Sequence, residues 1–211
     1  MTTAGVVPQV EAVLCDLDGV LRIWEPLESV DLAYGLAPGT VAGAAFRPER
    51  LGPAITGMVT DEQWRQAVAG DLTAVCGSAA VAREVVAAWG RQASEVDEQV
   101  LALLGEARRR ATVVLLSNGT TRLERDLLAS GLDRAVDAVV NTARVGVAKP
   151  DPAVYRIAAE RAGVAVEHCL FVDDGEKNVT AAEAVGMSGH WYRGVAGLRA
   201  AFAAAGLVAA G

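Results

Sequence analysis

Cysteine, histidine and aromatic residues are scarce in this 211-residue chain, and each scarcity removes a class of protein. The three cysteines, Cys15, Cys76 and Cys169, are odd in number, widely spaced and without a CxxC pair. Neither a disulfide framework nor a zinc site is therefore expected, and a reducing compartment fits best. Cys15 and Cys169 read as small buried hydrophobes inside strands. No run approaches the roughly 18 apolar residues that a membrane span needs. The opening MTTAGVVPQVEAVLC lacks the basic start and long apolar core of an export signal. Basic residues are also in deficit, 19 against 26 acidic ones, for a net charge of −7. That balance gives no support to nucleic-acid or anionic-membrane binding, since both select for basic patches. The expectation is a soluble, cytoplasmic protein with neither partner; a small anionic substrate at a locally cationic site stays compatible with it.

What the chain does have is apolar bulk: 52% of its residues are hydrophobic, rich in Ala, Val and Gly, and 21% are charged. This is the composition of an ordered globular protein, long enough to bury a sizeable core. Short runs rich in β-branched residues recur: AVLCD (12–16), TVVLLSN (112–118), DAVVN (137–141), CLFVDD (169–174) and GHWY (189–192). Their near-continuous apolarity suits strands covered on both faces. Amphipathic stretches lie between them. DPAVYRIAAERAG offers Asp151 as N-cap, Pro152 at the first helical position and Gly163 past the end. SEVDEQVLALLGEARRR starts with Ser94 and acidic residues and finishes in three arginines, as the helix dipole favours. The alternation predicts an α/β fold with a doubly wound parallel sheet.

One interval breaks the pattern. From about Leu21 to Arg91 no strand is expected, only helices. TDEQWRQAVAG sets Thr60 and Gln63 at capping-box spacing, and SAAVAREVVAAWG puts Val81, Val85 and Trp89 on one helical face. Trp64 and Trp89 are expected to be core residues of this segment. The division that follows is an α/β core of residues 1–20 and 92–211, interrupted by a helical insertion of residues 21–91.

The chemistry-bearing residues sit at the carboxyl ends of the expected strands: Asp16 and Asp18, Ser117 and Asn118, Asp173 and Asp174, with Lys149 in the loop before the helix at Pro152. In an open parallel sheet, ligands bind in the crevice outside those ends. Four carboxylates in one pocket repel unless a cation sits among them, and hard oxygen donors of this kind suit Mg²⁺. Lys149, the Ser117 hydroxyl and loop N–H groups add donors for an anionic oxygen. One carboxylate can then attack phosphorus while a second carboxyl group protonates the leaving alcohol.

In order and spacing, DLDGVL, LLSNG, VAKPDPAVY and FVDDGEKNV resemble the four motifs of the haloacid dehalogenase-like hydrolases, in the branch with a helical cap inserted after the first motif. The resemblance runs from about Ala12 to Met187. It implies a Rossmann-like core in which Asp16 is the nucleophile, forming an aspartyl-phosphate, and Asp18 is the general acid and base. It further implies that Ser117 and the Asn118 amide hold phosphoryl oxygens and that Lys149 neutralises charge. Asp173 and Asp174 would bind Mg²⁺ with Asp16 and the Asp18 carbonyl, and Asn178 would support that loop. Dehalogenases of the family look like DxYGT at the first motif; Asp18 at the second position favours phosphoryl transfer instead. Gly175 departs from the Ser or Arg more usual there. Arg22 and Trp24, where the chain enters the cap, are candidates for touching substrate or for packing at the junction. His168 and His190 lie outside the motifs and are expected to be structural or surface residues. The function implied is a Mg²⁺-dependent phosphatase of a small phosphorylated metabolite. A sugar phosphomutase and a binding module with incidental turnover are the alternatives, and dehalogenation ranks last.

Overall fold

The computed structural model describes residues 9–209. Residues 1–8, which open the stretch read above as lacking an export signal, lie outside the described residues. The chain runs β1 (Ala12–Cys15), β2 (Arg22–Trp24), α1 (Glu28–Ala33), α2 (Thr40–Ala45), α3 (Pro48–Ile55), α4 (Asp61–Leu72) and α5 (Ala79–Trp89). Next come β3 (Ser94–Val96), α6 (Glu98–Ala107), β4 (Thr112–Ser117), α7 (Leu123–Ser130), β5 (Ala138–Asn141) and α8 (Thr142–Val145). It closes with α9 (Pro152–Ala162), β6 (Cys169–Asp173), α10 (Glu176–Ala184), β7 (Ser188–Trp191) and α11 (Val195–Ala204).

Five strands form one parallel sheet in the order β5-β4-β1-β6-β7. Alternate residues of the buried strands face opposite layers, as the twofold period of a strand requires. Val13, Cys15, Val113, Leu115, Leu170 and Val172 pack toward α6, α7 and α11. Leu14, Val114, Leu116 and Phe171 pack toward α9 and α10, where Tyr155 meets Phe171 edge to face at 5.2 Å. This is the doubly wound α/β fold expected from the alternation. The chain leaves β1 for β4 and β5 on one side and returns to β6 and β7 on the other, so the switch point of the sheet lies at β1. Asp151 caps α9 by accepting from the Ala153 N–H at 2.8 Å, with Pro152 inside its start and Gly163 left-handed at its end.

Helices α1–α5 build a separate apolar cluster around Val41, Ala45, Trp64, Val68, Val85 and Trp89. Both tryptophans are buried there as expected, and the Thr60–Gln63 capping box is formed. Three expectations are corrected. Arg22–Trp24 and Ser94–Val96 are strands, paired antiparallel as a two-stranded ribbon where the helical segment joins the sheet. Each half is three residues long and its partner is some seventy positions away, so neither carries a period of its own. Ser94 consequently spends its backbone on Trp24, and the following helix is capped instead by Asp97, whose carboxylate accepts from the Gln99 and Val100 N–H groups. On α5 the buried face is Ala82, Val85, Val86 and Trp89, with Val81 left 37% exposed, a rotation of one residue from the face expected.

Candidate active site

Asp16 follows β1 directly and its N–H donates to the Val172 carbonyl, so the sheet itself fixes the position. One of its oxygens, Oδ1, accepts from the Leu17 N–H at 2.8 Å and lies 2.8 Å from Lys149 Nζ. Lys149 Nζ also donates to Asp173 Oδ2 at 2.6 Å, with the Lys149 and Asp173 side chains almost wholly buried. A charged lysine can occupy such a place only if paired on both sides. Burial pushes the Asp16 carboxyl up to about 7, with the Lys149 ammonium pulling the other way and the Asp173 charge adding to the rise. Burial pulls Lys149 down, but Asp16 and Asp173 outweigh it and hold the ammonium above its ordinary range. Asp174 is raised, first by burial and then by the charge of Asp173.

The lysine loop is itself pinned from the neighbouring strand end. Asn118 accepts from the Lys149 N–H at 2.8 Å and donates to the Lys149 carbonyl at 3.0 Å. Ser117 is buried at the carboxyl end of β4. Asp173 Oδ1 accepts from the Gly175 N–H at 2.7 Å and from Asn178 Nδ2 at 3.0 Å, and the Asn178 carbonyl accepts from the Tyr155 hydroxyl. A Cβ at Gly175 would stand 3.0 Å from both Asp173 Oδ1 and Asn178 Nδ2, so the glycine leaves this knot room to close.

Asp16, Asp173 and Asp174 bring carboxylate oxygens within 4.8 Å of one another. Three hard anionic donors against one ammonium leave an excess of negative charge that a divalent cation would neutralise. Gly19 makes this approach possible. Its φ is 86°, in the left-handed region, and a Cβ there would sit on the Asp174 carboxylate. The donor set and the cradle both fit Mg²⁺.

Asp18 points elsewhere. Arg22 donates to both of its oxygens, Nε at 2.6 Å and Nη2 at 2.9 Å, and Trp24 Nε1 donates to Oδ1 at 2.6 Å. The Arg22 guanidinium stacks over the Trp24 ring at 4.7 Å. Packing at the junction is thus only part of what these two residues do: they orient Asp18, and all three line a cavity of about 540 Å³ between the helical segment and the strand ends. His168 is half-buried against Gln9 and Glu11, away from this site, and His190 lies in the edge strand β7.

Sequence reasoning missed the contacts that seat the helical segment on the sheet. Asp61, at the start of α4, is buried; its carboxylate accepts from Thr120 Oγ1 at 2.8 Å and Arg65 Nε at 2.6 Å, while its N–H donates to Thr121 Oγ1. Arg122 donates to the Gly90 carbonyl at 2.9 Å. In the sequence Asp61 reads as an ordinary first-turn acid beside a capping box, and only the two threonines directly after SNG hint at more.

A family model described as haloacid dehalogenase-like hydrolase matches residues 10–186, and the chain belongs to that family of enzymes. Among curated relatives, the phosphoserine phosphatase of Thermus thermophilus is 36% identical over 115 residues, which are 52% of this chain and 46% of that protein. Phosphatase MT3486 of Mycobacterium tuberculosis is 41% identical over 87 residues, 40% of each chain. The chain thus matches less than half the length of these two relatives. A family enzyme from Bacteroides thetaiotaomicron, solved with magnesium and inorganic phosphate, shares the fold at a TM-score of 0.66 and 19% identity, over 86% of this chain and 93% of that one.

Proposed function

We propose that the protein is a Mg²⁺-dependent phosphatase of a small phosphorylated metabolite, with residues 21–91 as its cap. The observation that carries this reading is the asymmetry of Asp16. Its Oδ1 is held by Leu17 and Lys149, while among the described residues Oδ2 receives no hydrogen bond and is left to attack. In the reaction, Asp16 Oδ2 forms a bond to phosphorus as the ester P–O bond breaks, giving an aspartyl-phosphate and an alcohol. Asp18 gives the departing oxygen its proton, for which it must release Oδ2 from Arg22, or Oδ1 from both Arg22 and Trp24. Asp18 then takes a proton from the water that attacks phosphorus, which breaks the Asp16–phosphate bond and frees inorganic phosphate. Ser117 and the Asn118 N–H hold phosphoryl oxygens, and Lys149 balances charge on Asp16 and the phosphate. Mg²⁺ held by Asp16, Asp173, Asp174 and the Asp18 carbonyl would neutralise phosphoryl charge.

The curated phosphatases and the magnesium and phosphate complex of the structural neighbour support this reading. A metabolite suits the half-open cavity and the net charge of −7 better than a polyanion does. A reducing, cytoplasmic setting belongs to the same proposal and rests on three unpaired cysteines. Among the described residues no helix is long and apolar enough to cross a membrane.

Hydrolysis of an aryl phosphate with and without Mg²⁺ tests the mechanism. Activity is expected to vanish with chelator and in Asp16→Asn, and to fall about 10²- to 10⁴-fold in Asp18→Asn on alkyl esters. Turnover that survives Asp16→Asn would sink the covalent route.

A further inference from the structure

The cavity beside Asp18 is lined by three arginines, and each is already matched. Arg22 is paired with Asp18 at 2.6 Å, Arg65 with Asp61 at 2.6 Å and Arg122 with Asp126 at 2.9 Å. Most neutral polar groups of the wall are occupied too, the exception being the buried Trp89 Nε1, which is without a partner among the described residues and can meet at most one acceptor on a bound molecule. The Gln92 amide donates to the Pro26 carbonyl and the Ser29 hydroxyl, Thr120 donates to Asp61, and Asn118 clamps Lys149. With its charge balanced by its own carboxylate, a guanidinium attracts a substrate carboxylate less strongly, although at Arg65 only Nε is engaged, and a wall of mostly engaged amides and hydroxyls offers little to sugar hydroxyls.

Apart from Glu25, a carboxylate exposed to solvent, the remaining wall is apolar. Leu51 and Ile55, four residues apart on α3, lie on it with Phe46, Trp64 and Trp89. Phe46 and Trp89 meet edge to face at 5.8 Å, as do Trp64 and Trp89. Phe46 stays 45% exposed although it belongs to this wall, so part of an aromatic surface is left to be covered by something bound. Asp18 and Asn118 lie on the same cavity, which puts the apolar space on the leaving-group side of the proposed proton donor.

We propose that the substrate is a phosphomonoester whose organic group is uncharged and largely apolar, seated against Phe46, Leu51, Ile55 and Trp89 with its ester oxygen at Asp18. This rests on the phosphatase reading above and goes beyond it by naming the class of alcohol released. Amino-acid and sugar phosphates are poor fits. Phosphoserine would bring a carboxylate to arginines that are already neutralised, and a hexose phosphate would strand hydroxyls against aromatic rings.

The test is kcat/KM of the full-length protein with Mg²⁺ on n-alkyl monophosphates from ethyl to hexyl, with O-phosphoserine and glucose 6-phosphate as comparators. The leaving-group acidity is nearly constant along the alkyl series, so its slope reports binding. Each added methylene is expected to raise kcat/KM about three- to fourfold until the cavity is filled, with both comparators at least tenfold below hexyl phosphate. Phe46→Ser, at a half-exposed position, is expected to flatten the series. A flat or falling wild-type series, or a preference for either comparator, overturns this inference and leaves the phosphatase reading standing. No turnover of any ester would overturn both.

Discussion

Two residues show how tightly the site constrains its chain. Gly19 takes a left-handed turn directly under the Asp174 carboxylate, so Gly19→Ala is both strained and in collision with a proposed metal donor. The substitution is expected to weaken Mg²⁺ binding by about 10- to 100-fold, the range seen when a ligand loses its support, measured by titrating Mg²⁺ against activity. Lys149 lies between Asp16 and Asp173 with its charge out of water. Lys149→Met is expected to cost the metal-free protein about 3–5 kcal/mol, because two buried carboxylates lose their counter-charge. Chemical denaturation checks this, and added Mg²⁺ is expected to restore part of the loss. Much of the candidate site was legible at this scale, since Asp16, Asp173 and Asp174 announce themselves by type and by their place at strand ends, and Lys149 by its place just before the helix that opens at Pro152. The grip of Arg22 and Trp24 on Asp18 was not. It depends on the chain folding back through Gly19, whose N–H donates to the Arg22 carbonyl at 2.9 Å, and side-chain type alone does not reveal that turn.

At the scale of elements, the loop after β4 serves two structures at once. Its first residue, Asn118, fixes the lysine loop, and Thr120, Thr121 and Arg122 reach the start of α4 and the end of α5. The helical segment and the sheet are therefore joined at the place where the phosphate is proposed to sit. Gly57 adds a close approach, since a Cβ there would run into the Ala143 carbonyl. Thr120→Val removes one donor from the buried Asp61 carboxylate, at an expected cost of about 1–3 kcal/mol. Amide exchange should quicken in the first turn of α4 while β1 and β4 keep their protection; unchanged exchange at α4 would mean that Thr120 does not seat the helical segment. The elements themselves were readable where they were long. Five sheet strands and the caps of α4 and α9 follow from local pattern, whereas the β2–β3 ribbon escaped because three-residue strands exist only through their partner.

For the molecule as a whole, the acidic balance and the acidic site combine into a pH dependence that differs with and without metal. Asp16 is held up to about 7 by burial, above the ordinary carboxylate value it has when unfolded. Between those two values the folded protein keeps a proton that the unfolded chain has lost, so stability falls as pH rises and the fall ends near pH 7. Asp174, also raised, adds in the same direction. His190 is lowered by burial and by Arg193, so it binds fewer protons when folded and opposes the trend below its ordinary value. Asp71, held down by Arg50, acts only at lower pH. So do Asp137 and Glu124: burial raises both, but the Val113 N–H and Arg108 outweigh it at Asp137, and Arg144 with Asn141 does so at Glu124. The stability these three groups confer is lost as pH drops through their depressed values, below the window that matters here. Comparing metal-free wild type with Asp16→Asn cancels His190 and isolates Asp16. From pH 5 to 7 the wild type is expected to lose ground against the variant, by at most ~1.4 kcal/mol per pH unit, and the gap should then level off. Saturating Mg²⁺ should abolish the slope, because a cation among the carboxylates favours their ionised form. A gap that stays constant from pH 5 to 8 without metal would mean that Asp16 is already ionised throughout, and that Lys149 alone balances the charge of the site.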